Sequence, residues 1–450
     1  MFIKYKATDN LSVTLLSNML ICLLLLSTTF LSACNQNEDQ NSKSETMKEE
    51  EQKEEKEAKE GKAQETETEQ QNLEETNEIV ISAVGDVMVH GPQLEAQYDS
   101  EKNEYDFNDN FEYIKPYIDQ ADLALANLET VLAGGERGYS GYPMFNSPDV
   151  LADALKNSGF NVLSTANNHS LDQGEAGLRR TVEVLEDRGL KAIGTKKQAE
   201  DDSYLIKEIE GIKIGLSAFT YETPRIDGQR TINGIPMSDK TAELIDSFNY
   251  DELNQDMEDL TERAEHLQDQ GADVIAFFMH WGTEYERQPN EYQEKIAEEL
   301  VDSGVDIIFG SHPHVVQPVE EIKTPSGEEG IVIYSMGNFL SNQRREYLDR
   351  PYTEDGVIMH VTIEKDAHAD IEITETAYTP TWVHKYRENE ERNYEIVPLP
   401  DALEHEKIYN LHTEESVNRA QQSLENTNKI LTTDDSFTPE HIHSLFPPQD

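Results

Sequence analysis

Cysteine is nearly absent: the 450 residues hold two, Cys22 and Cys34. Beyond them no disulfide can form and no thiolate is available to build a structural metal site, so stability must come from a buried apolar core, which a body of this length can supply. Positive charge is scarce too. Lys and Arg number 37 against 90 Asp and Glu, a formal net charge of −53 at pH 7. With no basic stripe to displace counterions, the balance argues against duplex nucleic acid as a partner. It equally suits a salty or alkaline habitat, where surface charge preserves solubility.

Long apolar runs are lacking except from Leu11 to Leu31, itself interrupted by Ser12, Thr14, Ser17, Asn18 and Ser27-Thr28-Thr29. Lys4 and Lys6 precede it and Leu31-Ser32-Ala33-Cys34 closes it, the order of a secretory signal. The run is also nearly long enough to span a bilayer uncleaved. Leu-Ser-Ala-Cys, however, resembles the bacterial lipobox, which implies a lipoprotein signal peptide over 1–33 and a lipidated Cys34 as first mature residue. That anchor would hold the chain at the outer, extracytoplasmic face of the cytoplasmic membrane. Residues 34–77, exemplified by Glu49-Glu50-Glu51-Gln52-Lys53, carry too little apolar surface to offset ordering entropy, and are expected to be an acidic disordered tether.

Beyond the tether, apolar runs repeatedly stop at polar clusters. Glu78 to Asp86 reads as a strand ending in Gly85-Asp86, and Phe111 to Asp119 as a helix. Ala121 to Glu129 reads as a second strand that delivers Asn127 and Glu129 on one face. Val150 to Ser158 has helical spacing, Phe160 to Ala166 is a strand running into Asn167-Asn168-His169, and a helix follows from about Gly174 to Arg188. Tyr204 to Glu208 and Lys213 to Thr220 form a hairpin-like pair. The polar excursion from Tyr221 to Tyr250 shows no period and reads as a surface insertion or a lid. Helices from Asp251 to Gln270 and Glu291 to Ser303 precede two strands, one breaking at His280, the other running through Ile307-Ile308-Phe309-Gly310-Ser311 into His312-Pro313-His314. Gly330 to Phe339 reads as a strand ending in a polar turn, and Gly356 to Glu364 and Asp370 to Tyr378 alternate as exposed antiparallel strands should. Residues 399–450 are expected to be a helical polar appendage or tail. No internal repeat is visible.

A pair of histidines at i and i+2 is by itself as well explained by a surface turn; repetition at the ends of several runs is harder to explain by packing. The rim collects Asp86, Glu129, Asn168, His169, His280, His312 and His314. Carboxylate, amide and imidazole without thiolate suit one or two catalytic divalent ions, Mn, Fe or Zn. Glu129 is the candidate bridge between ions, and His169 the candidate proton donor to a leaving group.

The ordered series Gly85-Asp86, Asn127-Leu128-Glu129, Asn167-Asn168-His169 with Asp172 and Gly174, His280-Trp281-Gly282 with Glu284-Tyr285, Gly310 to His314, and Tyr334 to Phe339 resembles the CapA family of poly-γ-glutamate capsule proteins, over roughly 79–378. The resemblance implies kinship with calcineurin-like metallophosphoesterases. The fold it implies for 78–398 is α/β, a four-layer α/β/β/α metallophosphoesterase-like sandwich. It implies Asp86, Glu129, Asn168, His280, His312 and His314 as metal ligands and His169 as the catalytic residue, with Asn127, Asp172, Glu284, Ser335 and Asn338 contacting substrate or supporting ligands. One position departs from the phosphoesterase pattern: Met88 stands where a ligand histidine is expected, so that the site would hold one ion, or be completed by His90 or water. The function implied is a metal-dependent hydrolase of a phosphoester or γ-glutamyl amide, acting on poly-γ-glutamate or another cell-envelope polymer, with capsule synthase or export membrane proteins as partners. The alternatives are a non-catalytic accessory subunit of a poly-γ-glutamate synthesis and export complex, or an acidic surface lipoprotein whose histidines merely satisfy buried hydrogen bonds.

Overall fold

The computed structural model describes residues 76–431. The expected signal peptide, Cys34 and nearly all of the expected tether lie outside the described residues, as does 432–450.

Two sheets face each other. The first is eight-stranded and contains β1 (Asn77–Val87), β2 (Leu123–Leu128), β3 (Val162–Ser164) and β4 (Lys191–Ile193), parallel to one another. The second is seven-stranded: β5 (Leu205–Ile209) lies antiparallel beside β6 (Ile212–Tyr221), whose other neighbours are β7 (Ser247–Phe248) and β8 (Val274–His280). It continues through β9 (Ile307–Ser311) to β10 (Val319–Lys323) and β11 (Glu329–Ile333). The chain then returns to the first sheet for β12 (Asn338–Leu340), β13 (Asp355–Lys365), β14 (Ile371–Glu388) and β15 (Glu391–Pro398).

Alternation along each strand divides its side chains between two cores. On β8, Val274, Ala276 and Phe278 join Ile79, Ile81 and Ala83 of β1 between the sheets. Ile275, Phe277 and Met279 turn outward onto the helices α3 (Leu253–Asp269) and α4 (Glu291–Asp302). Ala124, Ala126 and Leu128 of β2 likewise face α1 (Val150–Asn157) and α2 (Gly174–Asp187) on the outer side of the first sheet. The result is the expected α/β/β/α sandwich.

Three expectations are corrected, and a fourth stretch, 221–250, gains detail. Phe111 to Asp119 is not one helix but ends one turn at Phe111 and begins another at Lys115–Ile118; Pro116 has no N–H to bond back, so a continuous helix cannot form through it. Gly330 to Phe339 divides between β11 and β12, in different sheets, around Gly337 at φ 70°. β13 is not exposed: its first nine residues are buried because it lies between β1 and β14, covered on both faces. The stretch 221–250 folds into three short strands, Thr223–Ile226, Gln229–Ile232 and Ile235–Pro236, before reaching β7, too brief for a period to show.

Past β15, Leu399–Glu404 forms a helix and α5 spans Glu414–Leu431. Leu399, Ala402, Leu411 and Ala420 pack on Trp382 and Val397, while Ile430 and Leu431 reach the core between the sheets.

Candidate metal centre

The carboxyl ends of β1, β2, β3, β8 and β9 converge, and the polar clusters that stop these apolar runs meet there. Register fixes the approach: Asp86 pairs with Asn127 on one side and Asn338 on the other, and His280 pairs with Ser311. Gly85 is required because a Cβ would stand 2.0 Å from the Gly337 carbonyl oxygen, which accepts the Asp86 N–H at 3.0 Å. His312 and His314 are both held at positive φ, 97° and 58°, a conformation costly for a side-chain-bearing residue and found where the surroundings impose it.

Ligating atoms gather in three sets, in each of which one atom per residue lies within 4.8 Å of the others: Glu129, His280 and His312; Asp86, Glu129 and His314; and Glu284, His312 and His314. Glu129, His312 and His314 each belong to two of these sets, and Glu129 is the one carboxylate among the three, the ligand type that can bridge two ions. Glu129 Oε1 lies 3.6 Å from His280 Nε2 and 3.9 Å from His314 Nε2. His314 Nδ1 stands 2.9 Å from Asp86 Oδ2, so the carboxylate holds the proton on Nδ1 and leaves the Nε2 lone pair facing Glu129. Asn127 Nδ2 donates to Asp86 Oδ1 at 2.8 Å and approaches His280 Nδ1 at 3.2 Å; its own Oδ1 accepts from Asn167 at 3.2 Å. His280 Nδ1 also lies 3.1 Å from Ser311 Oγ, and its Nε2 is 3.2 Å from Asn168 Oδ1, which brings the amide oxygen to the same cluster.

Beside this group, His169 Nδ1 is 2.8 Å from Asp172 Oδ2, which also accepts the Phe145 N–H at 2.7 Å. The His169 ring stands edge to face against Phe145, 4.7 Å between centroids. One polar anchor, Asp172, and one aromatic contact, Phe145, thus orient the imidazole and leave its Nε2 free of Asp172.

Burial dominates the electrostatics. Asp86, Glu129 and His280 have no solvent exposure, and His312 and His314 almost none. Desolvation, followed by the neighbouring Asp86, pushes the Glu129 carboxyl well above its usual range. Burial pushes His280 and His312 well below theirs, aided by the adjacent imidazoles, so both are neutral and able to ligate. Glu129 Oε1 and His312 Nδ1 are buried without a hydrogen-bond partner. Orphaned atoms of this kind normally cost stability, and a divalent cation would satisfy the oxygen and neutralise the paired carboxylates. The donor set therefore fits a metal of the N/O-binding class.

The remaining expected residues separate. Glu284, expected to support ligands or contact substrate, stands at ligating distance itself, although exposed. Asn338 donates to the His314 carbonyl at 3.3 Å and to the Thr353 carbonyl at 2.9 Å, fixing the histidine loop from behind. Ser335 accepts the Gly337 N–H at 3.3 Å and so shapes the crossing between sheets. Met88 is buried, its backbone tied to Leu340. His90 Nδ1 accepts from the Asn342 N–H at 3.3 Å, and His90 is in none of the three ligating sets. Sequence reasoning passed over Tyr221, whose ring lies 4.7 Å from His312 and stacks at 6.3 Å over His280. It ends a long strand where the polar excursion begins, and a tyrosine there carries no ligand type to mark it.

A family model described as Bacterial capsule synthesis protein PGA_cap matches residues 80–343. The chain is similar to Capsule biosynthesis protein CapA of Bacillus anthracis, 28% identical over 274 residues, 60% of this chain and 61% of that one. The match thus spans less than two thirds of that relative. It is also similar to PGA biosynthesis protein CapA of Bacillus subtilis, 26% identical over 302 residues, 65% of this chain and 70% of the other. A Probable polyglutamine synthesis accessory protein of Mycobacterium tuberculosis is 25% identical over 204 residues, 44% of this chain and 51% of that one.

Proposed function

The chain belongs to the PGA_cap family of bacterial capsule synthesis proteins, and from that premise we propose that it is a metal-dependent hydrolase acting on poly-γ-glutamate or a related cell-envelope polymer, lipid-anchored through Cys34 at the outer face of the membrane. The observation that carries the hydrolase reading is the buried convergence of Asp86, Glu129, His280, His312 and His314, with Glu129 shared between two ligating sets.

In this reading those five residues hold the metal, with Asn168 supplying an amide oxygen and Glu284 closing the solvent side. A divalent ion bound there would activate water and stabilise charge on the attacking and leaving oxygens of a phosphoester, or on the carbonyl oxygen of an amide whose nitrogen leaves. The chain's own contribution is positional. Asp86 fixes the tautomer of His314, Asn127 holds Asp86, Ser311 Oγ stands 3.1 Å from His280 Nδ1 where it can accept that proton, Asn338 holds the histidine loop, and Tyr221 screens the imidazoles from bulk water. His169, its Nδ1 kept on Asp172, would release a proton from Nε2 to the leaving group.

A second reading, a non-catalytic accessory subunit of a polymer synthesis and export complex, is favoured by two observations: Met88 where a ligand histidine is expected, and the word accessory in the mycobacterial relative's name. Chelated protein resupplied with Mn, Fe or Zn separates the readings. The hydrolase reading expects turnover of a phosphodiester or a γ-glutamyl amide that returns with metal and is lost in a folded His280→Ala, His312→Ala variant. Absence of turnover on both classes, with polymer output normal in cells carrying that variant, establishes the accessory role instead.

A further inference from the structure

A cavity of 640 Å³ opens between β14 and the start of α5, and a second of 400 Å³ adjoins it at Lys385, Tyr386 and Arg387, the two together forming a groove. The groove inverts the charge of the protein. In a chain with 90 acidic and 37 basic residues, its walls carry Arg344, Arg345, Lys385, Arg387, Arg392 and Arg419 against only Glu346 and Glu415.

Some of these cations are already engaged. Arg344 and Arg419 both reach the buried Glu354, Lys385 lies 3.1 Å from Glu346, and Arg392 lies 3.4 Å from the exposed Glu95. Arg345 and Arg387 are different. The Arg345 guanidinium meets the Gln422 side chain at 3.5 Å and that of Arg387 the Glu390 carbonyl at 2.8 Å; among the described residues neither guanidinium contacts a carboxylate, although the Arg345 backbone N–H donates to Glu354 Oε1 at 3.1 Å, and both residues are exposed. Trp382, His384 and Tyr386 also line the groove, at alternate positions of β14 with successive ring centroids 4.8 Å apart and planes 27° and 20° from parallel. Burial lowers His384 to about 4, so this stacked lining is rigid and uncharged at neutral pH. A stiff aromatic lining with uncompensated guanidinium groups beside it suits an extended anionic chain, because guanidinium forks match carboxylate geometry.

We propose that this groove binds an extended carboxylate-bearing polyamide of the poly-γ-glutamate kind, its carboxylates paired with Arg345 and Arg387. The choice of carboxylate rests on the capsule-polymer reading above; the anionic character rests on the groove alone. It also shows how so acidic a protein can hold a polyanion: repulsion from the rest of the surface fades over roughly 8 to 10 Å at moderate salt, whereas the groove cations act at contact.

The test is binding of labelled poly-γ-glutamate of defined length to the full-length protein at low and moderate salt. Binding is expected to weaken as salt rises, and to weaken at least about tenfold in an Arg345→Glu, Arg387→Glu variant. A Lys102→Glu, Lys323→Glu variant changes net charge equally at two exposed sites remote from the groove lining and is expected to bind as the parent does. Parent-like binding by the arginine variant, or equal loss in the lysine variant, overturns the proposal. Tighter binding of polyglycerol phosphate than of poly-γ-glutamate overturns the carboxylate assignment. Metal content measured on the same preparations keeps the two readings apart: polymer binding without metal refutes the metal centre and leaves the groove standing, while metal without polymer binding does the reverse.

Discussion

Replacing Glu129 with Gln is expected to make the metal-free protein more stable and the metal-loaded protein less so. In the parent, Glu129 Oε1 is buried with no partner while Asp86 sits in the same pocket, and burial holds the carboxyl well above its usual range. A buried unpaired polar atom costs about 1–3 kcal/mol. Gln keeps the shape, can accept the Asn127 amide hydrogen through its oxygen, and can present its NH2 to the Nε2 lone pair of His314, which the parent places 3.9 Å from Oε1. The variant should therefore gain about 1–3 kcal/mol in chelator. Metal at a hundred times its dissociation constant adds about 2.7 kcal/mol to a protein that binds it only when folded. The parent should receive that increment and the variant, lacking the shared carboxylate, should not, so the order of stabilities reverses or closes. Urea unfolding with EDTA and with Mn, Zn or Fe(II) measures both arms. A Gln variant less stable than the parent in EDTA, or stabilised equally by metal, refutes the assignment of Glu129 as a strained shared ligand.

Other positions give independent checks. Asp355 is buried, and desolvation raises its carboxyl from 3.8 to about 7, so it contributes stability that is present below pH 4 and lost as pH rises through 7. Asp355→Asn should therefore match the parent only below about pH 4, exceed it increasingly as pH rises, and exceed it at pH 8 by at most about 4 kcal/mol in urea unfolding; equal stability at pH 8 contradicts it. In a hydrolase, His169→Ala should retain metal but lose about 10²–10⁴-fold in kcat on substrates with poor leaving groups, and much less on an activated aryl ester; Asp172→Asn should follow the same pattern more weakly, and a uniform loss on both substrates removes the proton-donor role. Gly85→Ala would drive its Cβ into the Gly337 carbonyl oxygen, 2.0 Å away, and is expected to cost about 1–3 kcal/mol and to lower metal occupancy, read by unfolding and metal content together.

The rim of the candidate site was legible because each parallel strand is buried on both faces, and its end is therefore marked where an apolar run meets a residue such as Asp86, His280 or His312. Partnership was less legible. That Asp86 would meet His314, 228 positions away, depends on which strands share a sheet and how the two sheets face, and alternation along one strand carries no such information. β13 was misjudged because its polar members, Ser82's partner His360 and Thr362, look solvent-facing in sequence yet are buried, with His360 satisfied by Ser82 Oγ at 2.8 Å. Ser335 and Asn338 were placed near the site, and their backbone-directed hydrogen bonds emerge only with the turn they close. The cationic groove draws on residues from 344 to 419, no two of its unpaired arginines adjacent, and overall acidity hides it.

The metal centre itself is tested most directly by mass-spectrometric metal content of the full-length protein after incubation with Mn, Fe(II) or Zn and removal of excess, beside a His280→Ala, His312→Ala variant shown to be folded. Stoichiometric metal in the parent, lost from the folded variant, is the expected result. A parent that retains no ion under any of these conditions, or a variant that retains as much as the parent, contradicts the metal centre and with it the hydrolase reading.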